Sequence, residues 1–284
     1  MKLCSVKTGG VAKFGAVTDK GFVDFTARFG DRCKDLRDFL NGGAGLQAEA
    51  EGYVASRSAI PLEDITFERL IPNLDARMFA LGWSYKDHQL ETGKEAPEYP
   101  FIFSKHPQSM VGSGQHIVRP FVSTRFDYEG EIVVVIGKAG RHIPESKAMD
   151  YVAGYSIGMD GSIRDWQLHS VTAGKNFDNS SAYGPWMVTR DEISAPNKMT
   201  LVTRLNGHEM QRSSYGLLQW ETAKLVAYVS TVCRLEPGDA ISTGTPGGVG
   251  NKRNPQVFMK AGDQLEIEVS GIGVLSNTIV DEVK

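Results

Sequence analysis

Residues 131–137 read Glu-Ile-Val-Val-Val-Ile-Gly, a short run dominated by β-branched side chains, the pattern of a strand buried on both faces. Such a strand commits the chain to a sheet-based core. Directly ahead of it stand Asp127, Glu129 and Glu131, alternating with Tyr128 and Gly130. In an extended strand alternate side chains share a face, so the acids would project together, about 6.6 Å apart per step. Like charges at that spacing repel. Two readings follow: a solvated strand entry, or a hard-cation site where carboxylates converge on Mg²⁺ or Mn²⁺. Asp160 closes the next strand-like run, Tyr151–Met159, which can pair beside the first and offer another oxygen ligand.

The rest of the chain divides in texture. Residues 1–70 look like a small unit with strand-like runs over 1–7, 11–17 and 21–26, then helix-like pieces over 33–41 and 46–57 and a strand-like 65–70. Residues 71–284 form a larger unit rich in strands, glycine and proline. Within it 201–211 reads as a hairpin turning at Asn206-Gly207, and 217–235 is a helix with apolar residues on one face, stopped by Glu236-Pro237-Gly238. Strands return over 264–269 and 273–280. No internal repeat is visible.

Charge and cysteine content exclude several roles. With 31 basic and 34 acidic residues the formal net charge is −3, so no bulk positive field draws nucleic acid or anionic lipid. Cys4, Cys33 and Cys233 lie far apart, form no CxxC pair and suit a reducing cytosol. No apolar stretch follows Lys2, and no run approaches the ~18 apolar residues of a bilayer span, so a cytoplasmic protein is expected.

Other residues could carry chemistry. Ser162, Arg164, Asp165 and Gln167 follow Asp160, and a guanidinium fork suits the carboxylate of an α-keto acid, although an Arg–Asp surface pair is the commoner fate of such neighbours. His88 and Glu91 are three apart, the spacing of a general base with an orienting carboxylate if the segment is helical, or of an ordinary surface pair. Lys175 could meet a developing enolate oxygen, yet lysine is exposed by default. Gly244–Gly250 fits neither GxxxxGK[ST] nor GxGxxG, though its amides could cradle a carboxylate. Gly154-Tyr155-Ser156-Ile157-Gly158 matches GxSxG, but Gly158 and Gly161 leave no room for the helix that a nucleophile elbow requires.

These segments resemble the fumarylacetoacetate hydrolase family. The likeness runs through GWSYKDHQLE, IFSKHPQSMVGSGQHIVRP, DYEGEIVVVIGK, YVAGYSIGMDGSIRDWQ, AGKNFD, YGPWMV, LNGHEMQ, LEPGDAISTGTPGGVG and AGDQLEIEVSGIGVLSN, in order over about 72–284. It implies an α+β fold: a mixed β-roll catalytic domain behind a small N-terminal domain, assembled as a homodimer. It implies Glu129, Glu131 and Asp160 as ligands of Mg²⁺ or Mn²⁺, for which Ca²⁺ can stand in within a crystal. Arg164, Gln167 and Thr245 would contact substrate, Lys175 would be catalytic, and a His88–Glu91 dyad would activate water. Gly161, Ile163 and Ala182 depart from the family's usual residues.

The implied activity is hydrolysis of a carbon–carbon bond in a 2,4-dioxo acid such as maleylpyruvate or fumarylpyruvate. Oxaloacetate decarboxylation or isomerisation of a 2-oxo-dienoate are alternatives at the same metal site. A serine hydrolase through Ser156 and a non-catalytic binding protein are the remaining readings.

Overall fold

The computed structural model describes residues 1–86, 91 and 97–283. The chain begins with strands β1 (Lys2–Thr8), β2 (Val11–Thr18) and β3 (Gly21–Asp24), helices α1 (Thr26–Phe29), α2 (Leu36–Asn41) and α3 (Gly43–Ala55), and strand β4 (Thr66–Phe67). Next come β5 (Met78–Gly82), β6 (Phe101–Lys105), β7 (Met110–Val111), β8 (His116–Arg119), β9 (Phe126–Asp127), β10 (Gly130–Ile136), β11 (Val152–Met159) and β12 (Ser162–Ile163). The remainder is α4 (Val171–Lys175), β13 (Ser181–Thr189), β14 (Thr200–Leu205), β15 (His208–Ser214), α5 (Thr222–Val232), β16 (Ala240–Ser242), β17 (Gln264–Val269) and β18 (Gly273–Asp281). Among the described residues no helix is long and apolar enough to cross a membrane.

The fold is a mixed α+β architecture dominated by sheets. Among the described residues the main sheet has 11 strands, in the order β3-β2-β1-β13-β11-β10-β16-β5-β6 with β4 and β7 at its side, and a second sheet of 5 strands runs β15-β14-β17-β18-β8. Strand β10 lies inside the main sheet between β11 and β16 and is buried along its whole length, as its sequence demands. Its alternation divides two cores: Ile132, Val134 and Ile136 pack into one hydrophobic cluster, Val133 and Val135 into the other. The N-terminal strands extend this sheet, because β1 pairs with β13 at Lys2↔Val188 and Leu3↔Met187. Beside them Phe14, Phe25, Phe29, Phe39 and Tyr53 form a cluster of edge-to-face and tilted rings.

One local expectation is met as read and two helices are shifted or shortened. The hairpin of β14 and β15 turns at Asn206-Gly207, both in the left-handed region. Helix α2 starts at Leu36 rather than 33 because the Asp35 carboxylate accepts the amide of Asp38 at 2.9 Å and caps it there. The amphipathic helix expected over 217–235 spans only Thr222–Val232. At its start Leu218 bridges to Tyr85 and the Gln219 amide donates to the Ser84 carbonyl, and at its end Leu235 bridges to Gly140. Tertiary pairing overrides helix periodicity at both ends.

Candidate active site

Three strand ends build the centre of the site. Glu129 immediately precedes β10, Glu131 lies in its first turn of pleat, and Asp160 follows β11, which pairs with β10 at Gly130↔Met159 and Glu131↔Gly158. Pairing therefore puts the three acids side by side, with carboxylate oxygens within 4.8 Å of one another, and all three are buried. Close packing holds Asp160 in place, since a Cβ on Gly161 would lie 1.8 Å from the Ser180 carbonyl oxygen. This explains the small residue at 161, while Ile163 and Ala182 simply join the core.

Cations surround the cluster. Lys175, at the end of α4, donates to Glu129 Oε2 at 2.6 Å and Asp160 Oδ2 at 2.7 Å. It is 4% exposed, the reverse of the default for lysine. Burial works against its charge, yet the Asp160 and Glu129 carboxylates outweigh burial and hold the ammonium above its ordinary range. Lys105 sits opposite, its Nζ 2.8 Å from Asp160 Oδ1 and within hydrogen-bond reach of Ser181 Oγ and the Lys175 carbonyl. Burial pulls the Lys105 ammonium below the usual lysine range despite Asp160. Arg164 brings Nη1 to 2.8 Å from Glu129 Oε1 and 3.2 Å from Gln167 Oε1.

Asp127 does not join the acids. The chain bends between β9 and β10, because β9 pairs with β12 while β10 pairs with β11 and β16, so strand alternation does not carry through Tyr128. The buried Asp127 instead accepts the amides of Gly250 at 2.8 Å and Asn251 at 2.9 Å, and takes Arg164 Nε and Nη2 at 2.7 and 2.6 Å. Burial raises its pKa, with Arg164 the main opposing influence.

The glycine loop after β16 cradles three of the protein's own carboxylates. Gly244 donates to Glu131 Oε2 at 3.0 Å, Gly248 to Glu91 Oε1 at 3.0 Å and Gly250 to Asp127 Oδ1 at 2.8 Å. Gly244 needs its φ of +89° and its missing side chain, because a Cβ there would meet Ser84 Oγ at 1.9 Å. Thr245 is buried, donating to the Gly130 carbonyl at 2.9 Å and accepting from Gln211 at 2.8 Å.

Glu129, Arg164, Gln167, Lys175 and Thr245 line one cavity of about 280 Å³, walled by Leu81, Trp83, Phe101, Phe103 and Val249. His88, the expected partner of Glu91, lies outside the described residues. Lys105 was not singled out in the sequence; its signal was its place at the end of an apolar strand, in IFSKHP. Ser156 lies mid-strand in β11, buried, donating to the Trp186 carbonyl at 2.7 Å, so the GxSxG match is a strand segment and no nucleophile elbow.

The donor set suits a hard divalent cation. All three carboxylates offer oxygen, and Glu131 Oε1 is fully buried with no hydrogen-bond partner among the described residues, while Oε2 is held by Ser242 Oγ and Gly244. Burial, reinforced by Asp160 and Glu129, raises the Glu131 carboxyl from 4.5 to about 8. A protonated Glu131 therefore stabilises the metal-free fold below the unfolded value of 4.5, and that contribution is lost as pH rises through about 8. A bound cation must displace this proton. Mn²⁺ affinity, measured by titration calorimetry from pH 6 to 9, is expected to rise about tenfold per pH unit and level off above about 8; a flat profile would contradict the assignment of Glu131.

The family model for the fumarylacetoacetate (FAA) hydrolase C-terminal domain matches residues 77–280, a span that contains every one of these groups. The chain belongs to the fumarylacetoacetate hydrolase family. Among family relatives, the mitochondrial oxaloacetate tautomerase Fahd2a of Rattus norvegicus is 38% identical over 87% of this chain and 80% of its own. The crystal structure of 5-carboxymethyl-2-hydroxymuconate delta-isomerase from Mycobacterium smegmatis is 30% identical over 100% of both chains, with a TM-score of 0.77. That of maleylpyruvate hydrolase from Sphingobium sp. SYK-6 is 25% identical over 99% of this chain and 100% of that one, TM-score 0.84. The same enzyme has been solved in complex with manganese (II) ion and pyruvate, a structure 24% identical to this chain over 100% of both, TM-score 0.84.

Proposed function

We propose that this protein catalyses metal-dependent keto–enol interconversion of a small 2-oxo dicarboxylate, with oxaloacetate the first candidate. The observation that carries the proposal is the buried trio Glu129, Glu131 and Asp160, in which Glu131 Oε1 has neither a hydrogen bond nor an ion pair among the described residues. These three would hold Mg²⁺ or Mn²⁺, whose chemistry is to polarise a 2-oxo group and accept negative charge. Charge supports an anionic substrate: four carboxylates, those three and Asp127, face the cations Lys105, Lys175 and Arg164, so a divalent ion would leave the site one charge positive. The rat relative's activity supports the same choice.

The chain's own groups have distinct tasks in this reading. Arg164 Nη1 and Gln167 orient the substrate carboxylate in the cavity, and Thr245 shapes its wall. Lys175 counters charge developing on the 2-oxo oxygen. Proton movement at the adjacent carbon falls to His88, oriented by Glu91, whose bond to Gly248 ties it to the loop bearing Thr245 and Val249 on the cavity wall.

That same tie favours a second reading, hydrolysis of an acylpyruvate, in which His88 activates water against the distal carbonyl. The likeness to maleylpyruvate hydrolase supports it. Both readings keep a homodimer and, with three unpaired cysteines, a reducing compartment such as the cytosol. One assay separates them: oxaloacetate and acylpyruvates are incubated with Mg²⁺ or Mn²⁺ in ¹⁸O-labelled water, with chelator controls. The expected result is chelator-sensitive acceleration of oxaloacetate enol–keto relaxation, lost by about a hundredfold in His88→Ala with metal binding intact. Acylpyruvate cleavage with ¹⁸O in the acid product, and no effect on oxaloacetate, would establish hydrolysis instead.

A further inference from the structure

Lys252 stands on the wall of the cavity that contains Glu129, Arg164 and Lys175. It differs from the other lysines of the site. Lys105 and Lys175 are buried and engaged by Asp160 and Glu129. Lys252 is exposed, and its ammonium has no ion pair or hydrogen bond among the described residues. The wall's only carboxylate among the described residues, Glu129, is already shared by Arg164 and Lys175. Among the described residues, no protein anion in the cavity is left to satisfy this cation.

The backbone that carries Lys252 is fixed. Gly250 and Asn251 donate to the Asp127 carboxylate at 2.8 and 2.9 Å, and the Lys252 amide closes a tight turn onto the Val249 carbonyl at 3.1 Å. Asp127 simultaneously grips Arg164 at 2.6 and 2.7 Å. One buried carboxylate therefore sets the position of Arg164 and the anchoring point of Lys252 on the wall of the same cavity. A flexible four-carbon stem then lets the outer ammonium meet a ligand group without a rigid fork.

We propose that Lys252 is a specificity-determining residue that takes the distal carboxylate of a 2-oxo dicarboxylate whose 2-oxo end lies at Arg164. This deepens the function proposed above and rests on it for the inner end of the ligand. An exposed ammonium gives a modest, salt-screened preference and contributes little to holding the 2-oxo end. It also favours encounter with doubly charged ligands.

The test uses inert ligands first, so that it stands apart from turnover. Titration calorimetry on the Mn²⁺-loaded protein compares malate with lactate, which lacks the distal carboxylate. Wild type is expected to bind malate more tightly than lactate. Lys252→Gln should weaken malate about fivefold with lactate unchanged, and Lys252→Arg should restore malate. In turnover, Lys252→Gln should raise KM for oxaloacetate similarly, with kcat and the values for its 4-methyl ester unchanged. Equal binding of malate and lactate by wild type, unchanged malate binding in Lys252→Gln, or equal weakening of both ligands would overturn the proposal. Lys252-dependent malate binding without action on oxaloacetate would uphold the ligand class and reject keto–enol catalysis; oxaloacetate turnover with Lys252→Gln binding malate like wild type would do the opposite.

Discussion

Replacing Glu131 with Gln is expected to weaken Mn²⁺ binding at least a hundredfold and to reduce turnover by about a thousandfold, while the protein still folds. The amide is nearly isosteric, and its oxygen can keep the bonds now made by Ser242 Oγ and Gly244 to Oε2. Its NH₂ group would replace Oε1, the buried oxygen without a hydrogen-bond partner among the described residues, and an amide nitrogen is a donor that cannot ligate a cation. Loss of an oriented Lewis acid removes about 4 kcal/mol of transition-state stabilisation, which is the thousandfold. Thermal unfolding and calorimetry on the same preparations separate folding from metal loss. A variant that binds Mn²⁺ like wild type would remove Glu131 from the ligand set.

Lys175→Met should have the largest effect on stability. Methionine fills the lysine's volume but leaves Glu129 and Asp160 without the ammonium that now lies 2.6 and 2.7 Å away. Removing one member of a buried ion pair costs about 3–5 kcal/mol, or roughly 10 °C in Tm for a chain of this size. Mn²⁺ supplies replacement positive charge to the folded state alone, so the metal should recover much of that loss. Turnover should remain about a hundredfold low even when metal is saturating, because the charge that faces the 2-oxo oxygen is gone. A metal-free variant as stable as wild type would show that the ammonium does not offset the carboxylates.

Much of this site was legible before folding because strand chemistry is local. The run after Glu131 could only be a buried strand, and pairing it with the next strand brings Asp160 to Glu129 and Glu131. What sequence alternation could not register was the bend at Tyr128, which sends Asp127 to the glycine loop and to Arg164. The loop's role was half visible: its amides do cradle carboxylates, but these belong to the protein. Lys105 drew no reading, and for Lys175 exposure stood as the default beside a catalytic role, because lysine composition says nothing about a buried partner. Their burial depends on acids 15 to 55 positions away in the chain, as with Lys105 and Asp160 or Lys175 and Glu129. The helix over 222–232 was overextended for a similar reason, since the segments flanking it are claimed by Tyr85 and Gly140.

The central claim is that Glu129, Glu131 and Asp160 share one divalent ion. It is tested most directly by diffraction from crystals grown with Mn²⁺, recorded at the manganese absorption edge. The account predicts a single strong anomalous peak in contact with oxygens of all three carboxylates. A peak elsewhere, or none while Lys105 and Lys175 keep the carboxylates to themselves in a Mn²⁺-saturated crystal, would contradict it.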